Sequence, residues 1–337
     1  MGASSQSEPG GVAVCVGNFD GVHAGHASLL RRARECVGAD GRVVVLSFDP
    51  HPAGVLRPGE EPERLTAFGR REALLHALGA DEVVRLEPSA RLLGMTARDF
   101  VSWVVERYEP GVFVEGPDFR FGKGRAGDVD LLRELGARHA FGVEVVEPVA
   151  VALRDQSVVR ASSSIARWLL AHGRVRDAAV VLGRMHAVEG TVVAGDRRGR
   201  TIGFPTANIE PETMAPGPGV YGAIATELAS GEGRCWAAAV NVGTRPTFEG
   251  RGVRVEAHLI DEDRSYAGDE SPGAWAPVPG LPEYGWPVRL ELVTRVRDEA
   301  RFGSVDGLVG QLRRDVASVR DRVGPVGPRR ASVVETA

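Results

Sequence analysis

The sequence predicts two domains of different class: an α/β domain built on a parallel sheet, then an antiparallel β-barrel with a C-terminal helix. Three observations predict this. In the first half, apolar strand-like runs alternate with helix-spaced apolar stripes, the pattern of a parallel sheet covered by helices. From about residue 186 the texture changes to short β-rich runs separated by Gly, Pro and Asp clusters, the pattern of a barrel. The chain has 337 residues, 43% hydrophobic and 26% charged, so it exceeds the roughly 100–200 residues of a usual single domain and can bury two cores.

Each element follows from its own pattern. Val12–Val16 is the opening strand, and Leu29, Leu30, Ala33 and Val37 then recur at helical spacing. "RVVVLSF" (42–48) is a continuous apolar strand of the kind buried on both faces. A helix is predicted over roughly 67–78, a strand at "EVVRL" (82–86), a helix from Thr96 to about Arg107 and a strand at "GVFVEG" (111–116). The helical stretch around 163–183 is the predicted hinge, with domains at 11–183 and 184–323. Barrel strands are predicted in "AVEGTVVAG", "GVYGAIATEL", "CWAAAVNVG", "VRVEAHLID" and "VRLELVTRVR". Ser304 is an N-cap for the closing helix, whose stripe is Leu308, Leu312 and Val316. Both ends, 1–10 and about 324–337, read as disordered.

Composition excludes several classes. Net charge is −4 with both signs interspersed, so no basic face offers itself to nucleic acid, although a small anionic substrate stays open. Three separated cysteines without a CxxC pair argue against a disulfide framework or a zinc knuckle and suit a reducing cytoplasm. No apolar stretch approaches the ~18 residues of a membrane span. The partners expected are small molecules, with at most weak homo-oligomerisation.

"GNFDGVHAGH" (17–26) follows the first strand directly and precedes a helix. In an open parallel sheet, ligands bind beyond the carboxyl ends of the strands, where helix N-termini favour anions. Gly17, Gly21 and Gly25 let backbone approach such an anion, and His23 and His26 can donate to phosphate oxygens. The alternatives are a metal pair, poor without a third ligand, or two surface histidines in a turn. In "RASSSIAR" (160–167), Arg160, Ser163, Ser164 and Arg167 can add donors, or the serines merely cap a helix. "FGKGRAG" contains GxGxxG at Gly122, Gly124 and Gly127, too far past the strand for a dinucleotide fold, and reads as a mobile flap. His51 in "FDPHP" reads as structural.

The barrel half poses a different phosphate problem. "GDRRGRTIGFPTAN" (195–208) lacks both the spacing and the lysine of a P-loop. Thr206 and Asn208 are hard oxygen donors after a rigid Phe-Pro, suited to Mg²⁺ held with substrate phosphates, unless the segment is only a glycine-rich turn. Glu256 falls on an alternating strand, where a solvated carboxylate is the ordinary expectation.

These segments together resemble the bacterial bifunctional riboflavin kinase/FAD synthetase family. "GNFDGVHAGH", "FDPHP", "GPDFRFGKGRAGD" (116–128), "RASSSIAR" and "GDRRGRTIGFPTANI" match in order, joined by "NVGTRPTF" (241–248), "VEAHLID" (255–261) and "RVRDEARF" (295–302). The resemblance covers about residues 11 to 320. It implies a Rossmann-like nucleotidyltransferase domain followed by a riboflavin kinase barrel, with ATP, riboflavin and FMN as substrates and Mg²⁺ as cofactor. For adenylyl transfer it implies ATP binding by Gly17, Phe19, Asp20, Gly21, His23, Gly25, His26, Arg160, Ser163, Ser164 and Arg167. Asp118, Phe119 and Arg120 would border FMN, with Asp118 near metal. In the kinase it gives ATP to Gly195, Gly199, Arg200, Gly203, Phe204, Pro205 and Thr206, and metal to Thr206 and Asn208. Glu256 becomes the general base, and Arg297 and Phe302 close over the flavin.

The chain departs from the family pattern at Ala166, at Met185-His186, after Asp261 and in an apparent insertion, 268–287, read as a surface loop. Two other classes fit part of the pattern: a transferase acting on another phosphate ester, and a flavin-binding regulator with one silent site.

Overall fold

The computed structural model describes residues 11–195, 199, 202–229, 233–247, 250–260 and 280–326. Arg200, residues 268–279 of the insertion, and the ends 1–10 and 327–337 lie outside the described residues. The chain divides into two compact units. The first comprises residues up to Glu63, Phe68–Ala152 and Val158–Ser163; the second comprises Arg64–Ala67, Leu153–Ser157 and the chain from Ser164.

The first unit holds a five-stranded parallel sheet of order β3-β2-β1-β4-β5. Its strands are β1 (Val12–Gly17), β2 (Arg42–Phe48), β3 (Glu82–Leu86), β4 (Val112–Glu115) and β5 (Gly142–Val145). The helices are α1 (Ala24–Val37), α2 (Pro52–Leu56), α3 (Phe68–Ala77), α4 (Ala90–Gly94), α5 (Ala97–Tyr108) and α6 (Val129–His139). Strand alternation sends Val14, Val16, Val44, Leu46 and Phe113 into one core with Phe100, Val101 and Val104 of α5 and Leu132 and Leu135 of α6. Ala13, Cys15, Val43 and Val45 point the other way and are equally buried. Helix α1, with Leu30, Ala33 and Val37 buried, lies along β1, β2 and β4 and covers that second face.

Helix α5 begins where Thr96 caps it, its Oγ1 accepting Asp99 N–H at 3.2 Å, as its sequence predicts. The segment read as a flap is tied at its base: Phe121 and Gly127 exchange backbone hydrogen bonds of 3.1 and 2.9 Å, and Lys123 N–H reaches Met95 O at 2.7 Å. A two-stranded hairpin, β6 (Ala150–Ala152) and β7 (Val158–Arg160), follows.

In the second unit, after α7 (Ser163–Ala171) and α8 (Val175–Leu182), a closed barrel runs in the order β10-β11-β12-β9-β8-β13. Its strands are β8 (Ala187–Val193), β9 (Ala207–Pro211), β10 (Gly219–Glu227), β11 (Cys235–Thr247), β12 (Gly250–Ile260) and β13 (Pro287–Arg297). Helix α9 (Val305–Val323), capped by Ser304, packs on β10, β11 and β13. Val316 and Val319 anchor it against Phe204, Ala237 and Ile260, each buried valine contributing about 1.5–3 kcal/mol. Ordered chain continues past the predicted end, because Val326 also packs against this cluster.

The described tail of the insertion is exposed or half-buried, as a surface loop is, except at one residue. Trp286 is buried, and its carbonyl accepts Val192 N–H at 3.0 Å. His186 is accommodated because its Nε2 meets Met214 O at 2.7 Å in the interior. Among the described residues no helix is long and apolar enough to cross a membrane.

Candidate functional site

The first site grows from the junction of β1 and α1. His23 is the N-cap of α1, its Nδ1 accepting Gly25 N–H at 3.1 Å, and His26 Nδ1 accepts His23 N–H at 3.3 Å. A side chain at position 25 would put its Cβ 3.0 Å from the His23 ring, tight enough that the ring would have to shift. The two rings stack with centroids 3.7 Å apart. Because both Nδ1 atoms accept, the neutral form of either ring carries its proton on Nε2. Ahead of them, Phe19 (φ 49°) and Val22 (φ 41°) hold left-handed backbone, a costly conformation for such side chains that over-determined loops retain at working sites.

A buried cation organises this loop. Arg71 of α3, 3% exposed, lies 3.7 Å from Asp20 and 3.3 Å from Asp49, and donates to the carbonyls of Asn18 and Phe48 at 3.0 and 2.9 Å. It ties the carboxyl ends of β1 and β2 to the motif. Sequence reasoning missed it, although Arg71, Leu74 and Leu75 share one buried helix face. Arg71→Ala removes a cation shared by two buried carboxylates and is expected to cost about 3–5 kcal/mol, read as a fall in the first unit's denaturant midpoint.

The arginine and serine segment meets the same loop. Ser163 Oγ donates to Asp20 O at 2.7 Å, so its hydroxyl is an anchor for the motif. Arg160 Nη2 donates to both carboxyl oxygens of Asp118, at 2.9 and 3.0 Å, an exposed ion pair that joins two predicted site residues. Phe119 stacks on Phe121 at 5.2 Å with its flank in the core, while Arg120 is exposed and donates to Phe119 O. Ser164 is exposed, Arg167 half-buried and Ala166 fully buried on α7. His51 caps α2 through Nδ1 and pairs with Asn18 at 3.1 Å, a structural role.

The second site lies on the barrel wall. On β11 and β12, Ala238, Val240, Val255 and Ala257 fill the interior at 1% exposure or less. The alternate residues Asn241, Arg254, Glu256 and His258 face outward and line a cavity of about 290 Å³ closed by Leu312 and Asp315 of α9. Thr206, Arg297 and Phe302 border the same cavity. Asn208 on β9 stands opposite Glu256, which stands opposite Asn241, so the three are cross-strand neighbours on one face. A Cβ at position 195 would lie 2.0 Å from Asn208 Nδ2, so glycine there makes room for the amide.

Four residues outside the predicted set hold this wall. Arg254 donates to Glu256 Oε1 at 2.5 Å. His258 Nδ1 donates to Pro205 O at 2.8 Å and its ring meets Phe204, which fixes the turn carrying Thr206. Asp315 accepts both Nε and Nη2 of Arg297, at 2.9 and 2.7 Å, and Gln311 at 2.8 Å. Arg297 in turn lies 5.8 Å from the Phe302 ring centre. The period-two run Arg254, Glu256, His258 was the available sequence signal; Asp315, an acid beside the buried stripe of α9, was another. Gly199 borders the cavity with Phe204, whereas Gly203 (φ 81°) turns the chain just before it.

A family model described as FAD synthetase matches residues 5–161, and one described as riboflavin kinase matches residues 182–323. The bifunctional riboflavin kinase/FMN adenylyltransferase of Escherichia coli (strain K12) is 33% identical over 331 residues, 96% of each chain. The chain belongs to this bifunctional family. The family's Pseudomonas fluorescens member is 32% identical over 328 residues, 95% of each chain. A crystal structure described as a macrolide-efflux protein from Streptococcus pneumoniae matches with TM-score 0.75 and 28% identity, over 94% of this chain and 96% of that one. That likeness is one of fold, and the efflux description is that protein's alone.

Proposed function

We propose that the chain makes FAD in two steps: ATP-dependent phosphorylation of riboflavin in the barrel unit, then adenylylation of FMN in the parallel-sheet unit. The observation that carries this reading is the convergence of Thr206, Glu256 and Arg297 on one cavity, in a chain whose two halves match the two enzyme families in order.

In the barrel, Glu256 takes the proton of the riboflavin 5′-hydroxyl as that oxygen bonds to the γ-phosphorus of ATP and the bond to the ADP oxygen breaks. Arg254 holds the carboxylate in place. The apolar wall of Leu308, Leu312 and Val316 suits the flavin ring, and Arg297, fixed by Asp315, closes over it with Phe302. Thr206 and Asn208 would hold Mg²⁺. Their neutral oxygens, in a region where the described residues form no cluster of three acidic, histidine or cysteine ligands, fit an ion that arrives with nucleotide phosphates. When bound, the ion offsets phosphate charge.

In the sheet unit, an FMN phosphate oxygen attacks the α-phosphorus of ATP and pyrophosphate leaves. His23 and His26 donate from Nε2 to the charge that builds on the phosphate oxygens, and the α1 N-terminus adds its dipole. Ser163 and Arg160, through Asp20 and Asp118, hold the loop and its border in shape. Free thiols at Cys15, Cys36 and Cys235 suit the reducing cytoplasm as the place of reaction.

The test is incubation with riboflavin, ATP and Mg²⁺, followed by chromatographic separation of FMN from FAD. FMN accumulates first and FAD follows. FAD from supplied FMN with no FMN from riboflavin would remove the kinase reading, and the converse would remove the adenylyltransferase reading.

A further inference from the structure

Strands β1 and β4 part at the point where the sheet's order reverses. Their ladder holds only at Ala13↔Val112 and Val14↔Phe113, while β1 stays paired with β2 to Gly17↔Ser47 and β4 with β5 to Glu115↔Val145. Such a splay is where open α/β sheets admit a ligand. It also takes the N–H of Val16 out of the ladder, one residue before the histidine motif.

Glu115 answers that donor. Its Oε1 accepts Val16 N–H at 2.7 Å, from a side chain 2% exposed. Burial pushes this carboxyl well above the usual carboxylate range, with the Val16 bond pulling the other way. The neighbouring titratable groups are Cys15 on β1, whose thiol burial and Glu115 push up, and Cys36 on α1, which acts on Cys15. Val145 opposes Glu115 on β5, and the core cluster that α5 and α6 contribute to on this face is apolar.

We propose that Glu115 is a positioning residue for adenylyl transfer: its carboxyl bridges the splay, fixes the end of β1, and sets the angle at which Gly17–His26 leaves the sheet. The proposal rests on the assignment of adenylyl transfer to this unit. A displacement near 1 Å at a reacting centre costs up to about 100-fold in rate, so a bridge remote from the phosphates can still govern turnover.

The experiment compares wild type, Glu115→Gln and Glu115→Ala in two assays, FAD from supplied FMN and FMN from riboflavin. Glu115→Ala is expected to lower kcat for FAD formation at least tenfold with riboflavin phosphorylation unchanged. Glu115→Gln, which keeps a side-chain oxygen to accept the Val16 N–H, restores the rate. Glu115→Ala within twofold of wild type overturns the proposal, as does a glutamine variant no better than alanine. If the alanine variant loses both activities by misfolding, the glutamine variant decides: FAD formation within twofold of wild type upholds the bridge, and a tenfold loss overturns it. A wild-type chain that makes FMN but no FAD overturns the underlying assignment instead.

Discussion

Glu256→Ala abolishes FMN formation from riboflavin while FAD formation from supplied FMN continues. A positioned general base contributes about 10²–10⁴-fold, and the expected loss in kcat is of that order. The carboxylate stands on the cavity face of β12, held by Arg254 at 2.5 Å and opposite Asn208 and Asn241 on the flanking strands. Its removal leaves the barrel interior untouched, because Val255 and Ala257 fill that side. Glu256→Gln separates the two possible roles of the side chain. It keeps volume and hydrogen bonding but cannot take a proton, so it should lose as much kcat as alanine while the KM for riboflavin moves little. A glutamine variant within tenfold of wild type would withdraw the base assignment. Adding Asn208→Ala deepens the loss through ATP. Simultaneous loss of FAD formation from FMN would break the division of labour between the units.

The parts of this molecule legible in its sequence are those where one local rule decides. "RVVVLSF" reads as a strand because a short apolar run rich in β-branched valine suits an element buried on both faces, and β2 spans Arg42–Phe48. Thr96 and Ser304 cap helices because their hydroxyls answer orphan N–H groups, and both do so. Strand β9 was hidden, because the glycine- and proline-rich approach that separates it from its partner β8 reads as a turn and its other partner, β12, is distant in sequence. The turn signals of Gly122, Gly124 and Gly127 obscure the start of helix α6, though Asp128 caps it by accepting Leu131 N–H at 3.0 Å.

The site divides along the same line. The roles proposed for His23, His26, Thr206 and Glu256 are read from residue type and spacing. Arg71, Asp315 and Glu115 carry theirs only through partners far along the chain, Asp20 and Asp49, Arg297, and Val16 respectively. A charged residue on an otherwise buried stripe marks such positions without saying whom it meets. Arg160 shows the converse: its motif signalled a phosphate donor, and the structure gives its guanidinium a carboxylate partner at Asp118.

His26→Ala spares riboflavin phosphorylation and lowers FAD formation from supplied FMN by about 10²–10³-fold, the usual cost of one preorganised donor to developing charge. Two effects combine in that variant. The Nε2 donor disappears, and so does the Nδ1 acceptor that receives His23 N–H at 3.3 Å in the cap of α1. His26→Asn divides them, since its amide oxygen can still accept the His23 N–H but its side chain is too short to reach where Nε2 stood. The alanine variant is therefore expected to lose about 1 kcal/mol of stability along with its rate, whereas the asparagine variant melts like wild type and is as slow as alanine. The stacked His23 ring, 3.7 Å away, keeps its own bond to Gly25 N–H in both variants, so residual activity measures what one histidine can do alone. An unchanged FAD yield in either variant would take the histidine pair out of the mechanism and leave the α1 N-terminus as the motif's contribution to ATP binding.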